Sequence, residues 1–403
     1  MRASPLKPLL ERCVERESAR LQAAVLAAAR PDAGVTPPLK PAVAWMPYGP
    51  ESAEACLEIA ADLGSPAAEY AAIRRGCGLL DGVHRGTLVV EGADRAGFLQ
   101  RMVTQDLKAI GAGEVRESFW LNRKGRVQAD LLIAEFGDRM LVDVDRFAAA
   151  AVAKELGDFL FSEDCRVIDA TDAWGRMALH GAAAMALLAA CGMATGSLET
   201  DLRCAAATLS GEPAWLARRD QAGVPGVEIF APIDRLPALF EAMLQAGAAL
   251  GAPVRPVGWH AWNVARVEAG TPLFLVDFGR EALPHETGLL NRRVSFRKGC
   301  YLGQEVVARM ESLGKPKQRL VALRMEEDRL PVAGSEVTLA SGEAVGAITS
   351  SSPAPMLGSA CIALAMVRFA SGEPGTRLRV AAEGDWATAV VQPRLRFLPG
   401  GER

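Results

Sequence analysis

Residues 297–305 read Arg-Lys-Gly-Cys-Tyr-Leu-Gly-Gln-Glu, and no other stretch of the 403-residue chain groups as many candidate functional residues. A cysteine follows two cations here, and a helix is predicted to begin at about Gly303. Positive charge and the positive end of a helix both stabilise a thiolate, so Cys300 is a candidate catalytic residue. The alternative is that Cys300 is an inert, small hydrophobic residue, as single cysteines usually are.

Upstream of this stretch, strands and helices alternate. Strands are predicted over 87–92, 117–121, 126–136, 140–144 and 227–230. The second and third are joined by a hairpin turn at Asn122–Gly125, and each of the last two is followed by an Asp-Arg pair and an apolar helix. This repeated order predicts ferredoxin-like α+β layers instead of a doubly wound sheet. No Gly-x-Gly-x-x-Gly follows these strands, so a dinucleotide site is not supported.

Downstream of Lys315 the pattern changes to short strands separated by Gly and Pro. They are predicted over 319–325, 335–340, 344–350, 361–370, 377–382 and 386–398. Such a series is typical of a small antiparallel β-barrel.

The start of the chain is different again. Residues 8–30 predict an amphipathic helix, 30–50 a Pro-rich loop and 51–78 further helix. We therefore expect three regions. They are an N-terminal extension over 1–64, an α+β region of two interleaved subdomains over 65–315, and the barrel over 316–403.

Composition excludes several classes of protein. Apolar residues make up 50% and charged residues 23%, which excludes whole-chain disorder, collagen and coiled coil. A net charge of −3 gives no global basis for binding nucleic acid or an anionic membrane. The eight cysteines and four histidines are scattered, so neither a disulfide framework nor a metal site is expected. No signal sequence or spanning stretch is recognisable, and a soluble cytoplasmic protein is predicted.

The octapeptide from Lys298 to Glu305 resembles the signature of the YgfZ family of folate-binding proteins. These are relatives of the glycine-cleavage T-protein, an aminomethyltransferase, and they assist iron–sulfur proteins. Further blocks resemble the family in the expected order, at 78–86, 98–106, 226–230 and 266–270. The resemblance implies a three-part cloverleaf fold around a central hole that takes tetrahydrofolate.

The resemblance also implies which residues form the site. Asp106 matches an acidic residue that contacts the N10 region of folate and supports methylene transfer, so it is the second candidate catalytic residue beside Cys300. The expected folate-binding residues are Asn122, Glu228, Arg266, Lys298 and Tyr301.

Several of these residues have a simpler explanation. Asp106 would only end its helix, and Asn122 would only form a turn. Glu228 would lie on the solvent face of its strand, and Arg266 would be a surface charge. Two arguments oppose a solvent-facing Glu228. It lies within an apolar strand, where burial of a carboxylate is costly unless the carboxylate is paired. A carboxylate also accepts two hydrogen bonds from the N–H edge of a pterin.

One loop departs from the T-protein pattern. Residues 218–226 replace an aromatic-containing loop expected of an aminomethyltransferase, so a stacking platform for the pterin is missing there. The sequence therefore favours a tetrahydrofolate-binding accessory protein for iron–sulfur cluster assembly or repair, with iron–sulfur client or assembly proteins as partners. The alternative is a tetrahydrofolate-dependent aminomethyl- or methyltransferase. A third hypothesis, an RNA-associated module that binds tRNA, rests on basic residues within 292–319, and the net charge of −3 argues against it.

Overall fold

Two α+β layers and a closed barrel account for residues 2–28, 42–49 and 56–399, which the computed structural model describes. The helices in these residues are α1 Lys7–Ala28, α2 Pro66–Arg75, α3 Arg95–Met102, α4 Arg146–Gly157, α5 Ala184–Ala190, α6 Leu236–Ala248, α7 Trp259–Glu268, α8 Leu290–Arg293 and α9 Gln304–Leu313. The strands of the layers are β1 Ala44–Tyr48, β2 Leu57–Asp62, β3 Cys77–Asp81, β4 Arg85–Glu91, β5 Val115–Leu121, β6 Val127–Glu135, β7 Arg139–Asp145, β8 Arg166–Asp169, β9 Trp174–His180, β10 Cys204–Leu209, β11 Glu212–Arg218, β12 Gly226–Pro232 and β13 Val254–Val257. Those of the barrel are β14 Gln318–Met325, β15 Glu336–Thr338, β16 Ala344–Ala354, β17 Ala360–Arg368, β18 Arg377–Ala382 and β19 Asp385–Val391. Among the described helices, none has the length and apolar character needed to cross a membrane.

The first layer is a five-stranded antiparallel sheet in the order β5-β6-β7-β4-β8. Its helices α3 and α4 bury apolar residues against it, among them Phe98, Leu99 and Val152. The predicted hairpin is confirmed, because β5 and β6 pair antiparallel across the turn that follows Leu121. Of the two Asp-Arg pairs, the first caps its helix, since the Asp145 carboxylate accepts from the Phe147 amide at the start of α4 at 2.8 Å, whereas the N-cap of α6 is Arg235 and makes no side-chain hydrogen bond.

The second layer is a six-stranded sheet in the order β10-β11-β12-β9-β3-β13, in which only the β3–β13 pair is parallel among the described strands. Helix α1 is amphipathic as predicted, and it buries Leu9, Leu10 and Val14 in the core of this layer. The continuous helix predicted over 51–78 is wrong, because β2 and β3 lie on either side of α2. Residues 29–41 and 50–55 of the N-terminal predictions lie outside the described residues. The loop predicted over 30–50 is wrong in its described part, because β1 forms there and pairs with β2.

The barrel closes through six antiparallel strands in the order β14-β17-β16-β15-β18-β19, with β19 pairing back to β14. Alternate residues of each strand fill its interior, among them Leu323, Ala363 and Val380. The predicted fold class, α+β layers followed by an antiparallel barrel, is confirmed. The domain boundaries at 64 and 315 stay predictions.

Candidate functional site

Glu228 lies in the interior, where the two layers meet. It is on β12, its exposed fraction is 6%, and its Oε2 is 3.0 Å from Nη2 of Arg176 on the neighbouring β9. Burial raises the pKa of Glu228, and the Arg176 guanidinium opposes that rise. Glu228 is therefore a buried, paired carboxylate and does not lie on a solvent face.

Arg176 connects Glu228 to a larger ion-pair network. Its Nη1 is 2.6 Å from Oδ1 of Asp143, which also pairs with Arg85 and Arg219. Burial opposes ionisation of Asp143, but these arginines outweigh burial and hold its pKa well below the ordinary value. Because Asp143 belongs to the first layer and Glu228 to the second, the network joins the two layers.

A small inner cavity of about 20 Å³ adjoins Glu228. His84, His180, Gln221 and Trp262 are among its lining residues. Neither ring nitrogen of His180, nor Nε1 of Trp262, nor Nδ1 of His84 has a hydrogen-bond partner among the described residues. Burial lowers the pKa of His180 to about 4 and that of His84 to about 3, so both rings are neutral at pH 7.

A larger cleft of about 360 Å³ lies between the layers and the barrel. The arginines that line it within the described residues are Arg219, Arg292, Arg293, Arg319, Arg394 and Arg396. Its acidic lining residues in the same set are Glu117 and Asp220, so the lining holds more cations than anions. Ion pairs with carboxylates already engage Arg219, Arg292, Arg293 and Arg319. A concave site of this volume with convergent cations is suited to a small anionic ligand.

Glu117 lies at the wall of this cleft and is paired with three of the arginines. Its carboxylate oxygens are 2.5 Å from Arg293, 2.6 Å from Arg292 and 3.0 Å from Arg219. Burial would raise the pKa of Glu117, but these three guanidinium groups outweigh burial and lower it to about 2. Glu117 is thus ionised at neutral pH, and it holds the arginines in place.

Gln221 lines both the cleft and the inner cavity. Its backbone is held by hydrogen bonds to the Arg219 carbonyl, at 3.0 Å, and from Oγ1 of Thr271, at 2.7 Å. Its side-chain amide makes no hydrogen bond with the described residues. Gln221 is therefore the residue that the two spaces share.

Lys298, predicted to bind folate, is instead turned toward the end of α3. Its Nζ donates to the backbone carbonyls of Gln100, Val103 and Gln105 at 2.6, 2.5 and 3.0 Å. Burial lowers the pKa of Lys298 to about 8, and Asp106 opposes that shift. Lys298 lines neither the cleft nor the inner cavity.

Asp106 lies beside Lys298 in the loop after α3 and is half-buried. Its Oδ1 accepts from the Lys108 amide and from Nε2 of Gln100, both at 3.0 Å. The Lys108 amide, the Gln100 side chain and the Lys298 ammonium keep its pKa below the ordinary value. The preceding residue, Gln105, donates to the carbonyl of Arg292 at 3.0 Å, so Asp106 lies just behind the wall of the cleft.

Three other predicted residues belong to the segment that carries Lys298 or lie against it. The Tyr301 ring is 5.2 Å from Nζ of Lys298 and packs in the core of the first layer, where burial raises its pKa to about 12. Oδ1 of Asn122 accepts from the amides of Lys124 and Arg126, which is a turn-forming role. Cys300 is exposed. None of these three residues, Tyr301, Asn122 and Cys300, lines the cleft or the inner cavity.

Arg266 lies apart from the others, at the joint between α7 and the barrel. It is 1% exposed, so it is not a surface charge. Its guanidinium nitrogens donate to Asn263, Asp277 and Ser350 at 2.9, 2.8 and 2.7 Å. These contacts occupy Arg266 within the fold, and its role toward folate stays a prediction.

The predicted site residues thus fall into three places. Asp106, Asn122, Lys298, Cys300 and Tyr301 are grouped at the end of α3, Glu228 adjoins the inner cavity, and Arg266 lies at the barrel joint. The sequence did not single out Trp262, His180 or Glu117 for this region. The strongest hint was in the atypical loop at 218–226, which supplies both Arg219 and Gln221.

Family models match most of the chain. The model described as the GCVT N-terminal domain matches residues 60–298, and the glycine cleavage T-protein C-terminal barrel domain matches 318–397. The chain belongs to the glycine cleavage T-protein family.

Curated relatives of this T-protein family chain are named aminomethyltransferase. One from Saccharopolyspora erythraea is 32% identical over 323 residues, which is 79% of this chain and 86% of that protein. Another, from Thermosynechococcus vestitus, is 31% identical over 332 residues, or 81% and 86% of the two chains. The crystal structure of glycine cleavage system aminomethyltransferase T from Bartonella henselae has the same fold, with a TM-score of 0.77, 24% identity and coverage of 88% of this chain and 94% of that one. These comparisons support the family and do not distinguish a YgfZ branch within it.

Proposed function

We propose that this T-protein family member binds tetrahydrofolate and uses it in aminomethyl or methyl transfer. The observation that carries the proposal is the arginine-lined cleft, which adjoins an inner cavity through Gln221. The names of the relatives favour transfer chemistry over the iron–sulfur role that the sequence signature suggested.

The residues of both spaces suit the two ends of a folate. The carboxylates of a glutamate tail match the guanidinium groups of the cleft, since arginine binds carboxylates bidentately. The unpartnered atoms of His180 and Trp262, together with the Glu228 carboxylate, match a ring that carries both donors and acceptors. Unpartnered buried polar atoms are costly, and a ligand that satisfies them gains that free energy.

Tetrahydrofolate, when bound, supplies the nitrogen atoms that carry a one-carbon unit. In our proposal the chain contributes the electrostatic environment. Asp106 is held ionised by the Lys108 amide and the Lys298 ammonium, so it can stabilise positive charge or take up a proton at the end of α3. Lys298 and Asn122 position this loop and turn, and Cys300 is accessible from solvent beside them.

A second function is favoured by two observations. Cys300 is exposed within the segment that resembles the YgfZ signature, and the loop at 218–226 lacks the aromatic residue expected of a transferase. An accessory role in iron–sulfur cluster assembly or repair would use this exposed thiol. A cell that lacks the protein distinguishes the accessory role from the transferase role. If the accessory role is correct, that cell loses iron–sulfur enzyme activity, and expression of the Cys300→Ala variant does not restore it.

Titration of the purified chain with tetrahydrofolate and its 5-formyl analogue tests the main proposal. Both are expected to bind, and added salt is expected to weaken polyglutamate forms more than the monoglutamate because the cleft is cationic. Arg394 makes no ion pair with the described residues, so Arg394→Gln removes a cation without orphaning a carboxylate. This variant is expected to reduce the salt dependence of the polyglutamate form.

Turnover of an aminomethyl donor decides whether binding leads to transfer. A chain that binds tetrahydrofolate and turns over no aminomethyl or methyl donor would contradict the transferase proposal and leave the accessory role. A chain that binds no folate would contradict both.

A further inference from the structure

Side chains hold the backbone of the loop that follows α3. The amides of residues 105–108 donate, in order, to Oγ of Ser118, Oε1 of Gln105, Oε1 of Gln100 and Oδ1 of Asp106, at 2.8, 2.9, 2.5 and 3.0 Å. Backbone carbonyls are the usual acceptors of backbone amides in folded proteins. Four consecutive amides with side-chain acceptors mean that side chains, and not a helix or a sheet, set the position of Asp106.

We propose that Gln100 and Gln105 are positioning residues that hold Asp106 for the transfer reaction, Gln100 through the carboxylate and Gln105 through the backbone. This inference rests on the proposed function, in which Asp106 stabilises positive charge or takes up a proton. It requires no contact between either glutamine and the ligand.

The side-chain amide of Gln100, on α3, spans two consecutive positions of the loop. Its Nε2 donates to Oδ1 of Asp106 at 3.0 Å, and its Oε1 accepts from the Leu107 amide at 2.5 Å. The partners fix this orientation of the amide, because an ionised carboxylate only accepts and a backbone N–H only donates. The carbonyl of Gln100 accepts from Nζ of Lys298 at 2.6 Å, so the residue that holds Asp106 is itself anchored.

The two oxygens of the Asp106 carboxylate have different surroundings. Oδ1 accepts from Nε2 of Gln100 and from the Lys108 amide, whereas Oδ2 accepts no hydrogen bond from the described residues. Rotation about the Cβ–Cγ bond would break both bonds to Oδ1. The carboxylate is therefore fixed by one oxygen, and Oδ2 is the oxygen that remains for a ligand.

Gln105 connects Asp106 to the cleft. Its Oε1 accepts from the Asp106 amide at 2.9 Å, and its Nε2 donates to the carbonyl of Arg292 at 3.0 Å. Thr104 makes a parallel connection, since its Oγ1 donates to the carbonyl of Arg293 at 2.6 Å. Because Arg292 and Arg293 line the cleft, these bonds set the separation between Asp106 and the guanidinium groups proposed to bind the folate tail.

The charged groups that face Asp106 are the cations Lys108 and Lys298. The Lys108 amide, Gln100 and these cations together keep the pKa of Asp106 below its ordinary value, although burial opposes them. A glutamate in place of Gln100 would remove a donor and add a like charge, and both changes raise the pKa of an aspartate. Since the pKa of Lys298 is about 8, this lysine stays charged in measurements below pH 7.

Gln100→Glu tests the hold on the carboxylate. It has almost the same size as the native side chain and keeps an acceptor for the Leu107 amide. The ratio of its kcat to the native kcat for aminomethyl transfer should fall as the pH is lowered from 7 to 4, while KM for tetrahydrofolate stays near the native value. Carbon-13 NMR of the Asp106 carboxyl, which needs no turnover, should titrate at a higher pH in the variant. A purely structural role for Gln100 would move neither titration.

Gln105→Met tests the connection to the cleft, because it removes both side-chain bonds at a similar length. It should lower kcat roughly tenfold, since misplacement of a catalytic group is costly, and by the same factor at each pH. The affinity for p-aminobenzoylglutamate, measured by calorimetry, should stay near the native value because Gln105 lines neither space. The matched control is Gln245→Glu, at an exposed position of α6 in the second layer, which should follow the native chain throughout.

Two results would overturn this inference and leave the proposed function intact. One is a Gln100→Glu variant with a constant kcat ratio and an unshifted Asp106 titration, and the other is native kcat in Gln105→Met. If the native chain turns over no aminomethyl or methyl donor, the proposed transfer fails and this inference fails with it.

Discussion

Lys298 shows how a single charged side chain stabilises the polypeptide around the candidate site. Its ammonium group satisfies three backbone carbonyls at the end of α3, where the last turn of a helix leaves carbonyls unpaired. A cation at this end also interacts favourably with the helix dipole. The adjacent residues of the same segment therefore sit on a fixed backbone, which leaves Cys300 at the surface while Tyr301 is buried.

The first prediction at this scale concerns thiol reactivity. All eight cysteines lie in the described residues, and only Cys300 is exposed. Burial raises the pKa of Cys77 and Cys204 to about 12 and that of Cys165 and Cys361 to about 11. A limiting amount of iodoacetamide near neutral pH should therefore alkylate Cys300 first in the folded protein, as measured by peptide mass mapping.

The control for this labelling is Cys300→Ser, in which rapid alkylation should disappear and slow labelling should remain. Rapid alkylation of any other cysteine in the folded native chain would contradict the prediction.

At the scale of elements, the turn before α9 is fixed by a contact with the β5–β6 hairpin. Gly303 has φ of +81°, and a Cβ added there would lie 2.6 Å from the carbonyl oxygen of Asn122. The left-handed conformation and the close backbone approach both require glycine. Asn122 and the octapeptide are thus held together by backbone packing, in addition to any role toward a ligand.

Gly303→Ala is expected to lower the free energy of unfolding by about 2 kcal/mol, from left-handed strain and displacement of the hairpin. Gly299→Ala is the matched control, since a Cβ there meets no atom within 4 Å and its φ is not positive. The control should change the free energy by no more than about 0.5 kcal/mol. Urea unfolding measures both, and equal values for the two variants would show that the turn is not constrained.

Elements differ in how far the sequence could predict them. The barrel strands were recognisable because alternation and Gly or Pro breaks are local properties. The sequence predicts helix for the segment Leu57–Asp62, because its six residues, Leu-Glu-Ile-Ala-Ala-Asp, do not distinguish a helix from a strand. Its pairing with Ala44–Tyr48 is a tertiary contact, and tertiary contacts override weak local propensity.

At the scale of the whole molecule, buried ion pairs join parts that are distant in sequence. Glu117 is on a strand of the first layer, Arg219 follows a strand of the second, and Arg293 belongs to α8 before the barrel. An arginine or a carboxylate in such a network is costly to bury alone. The network therefore favours one relative arrangement of the three segments around the cleft.

The ion pairs of Glu117 predict a specific acid sensitivity. Its pKa in the folded state is about 2, against an ordinary 4.5, so its contribution to stability is complete above pH 4.5 and is lost as the pH falls toward 2. The shift corresponds to roughly 3 kcal/mol. Glu117→Gln should therefore be less stable than the native chain at pH 7, and the difference between the two should shrink as the pH falls from 4.5 toward 2.

Urea unfolding at a series of pH values measures this difference. Glu305→Gln, at an exposed position outside the network, is the control and should follow the native curve. A Glu117→Gln difference that stays constant between pH 7 and pH 2 would contradict the assignment.

The candidate site was less predictable than the fold, for a physical reason. Glu228 was recognisable because a carboxylate in an apolar strand needs a buried partner. Trp262 and Gln221 carry no such local indication, and they meet only when α7 and the loop before β12 pack together. Lys298 was assigned to a ligand because the sequence cannot show that three carbonyls at the end of α3 already use its hydrogens.

Because of the packing of α1, the region of family similarity and the region that shares one hydrophobic core have different boundaries. Similarity to the family begins at residue 60, in the middle of β2, whereas the core of the second layer already includes Leu9, Leu10 and Val14. The salt bridges Lys7–Glu58 and Glu17–Arg255 extend the same contact. An expression fragment that begins at residue 60 would expose the apolar face of the sheet that α1 covers, and exposed apolar surface promotes aggregation. The fragment that folds stably is therefore longer than the region of family similarity.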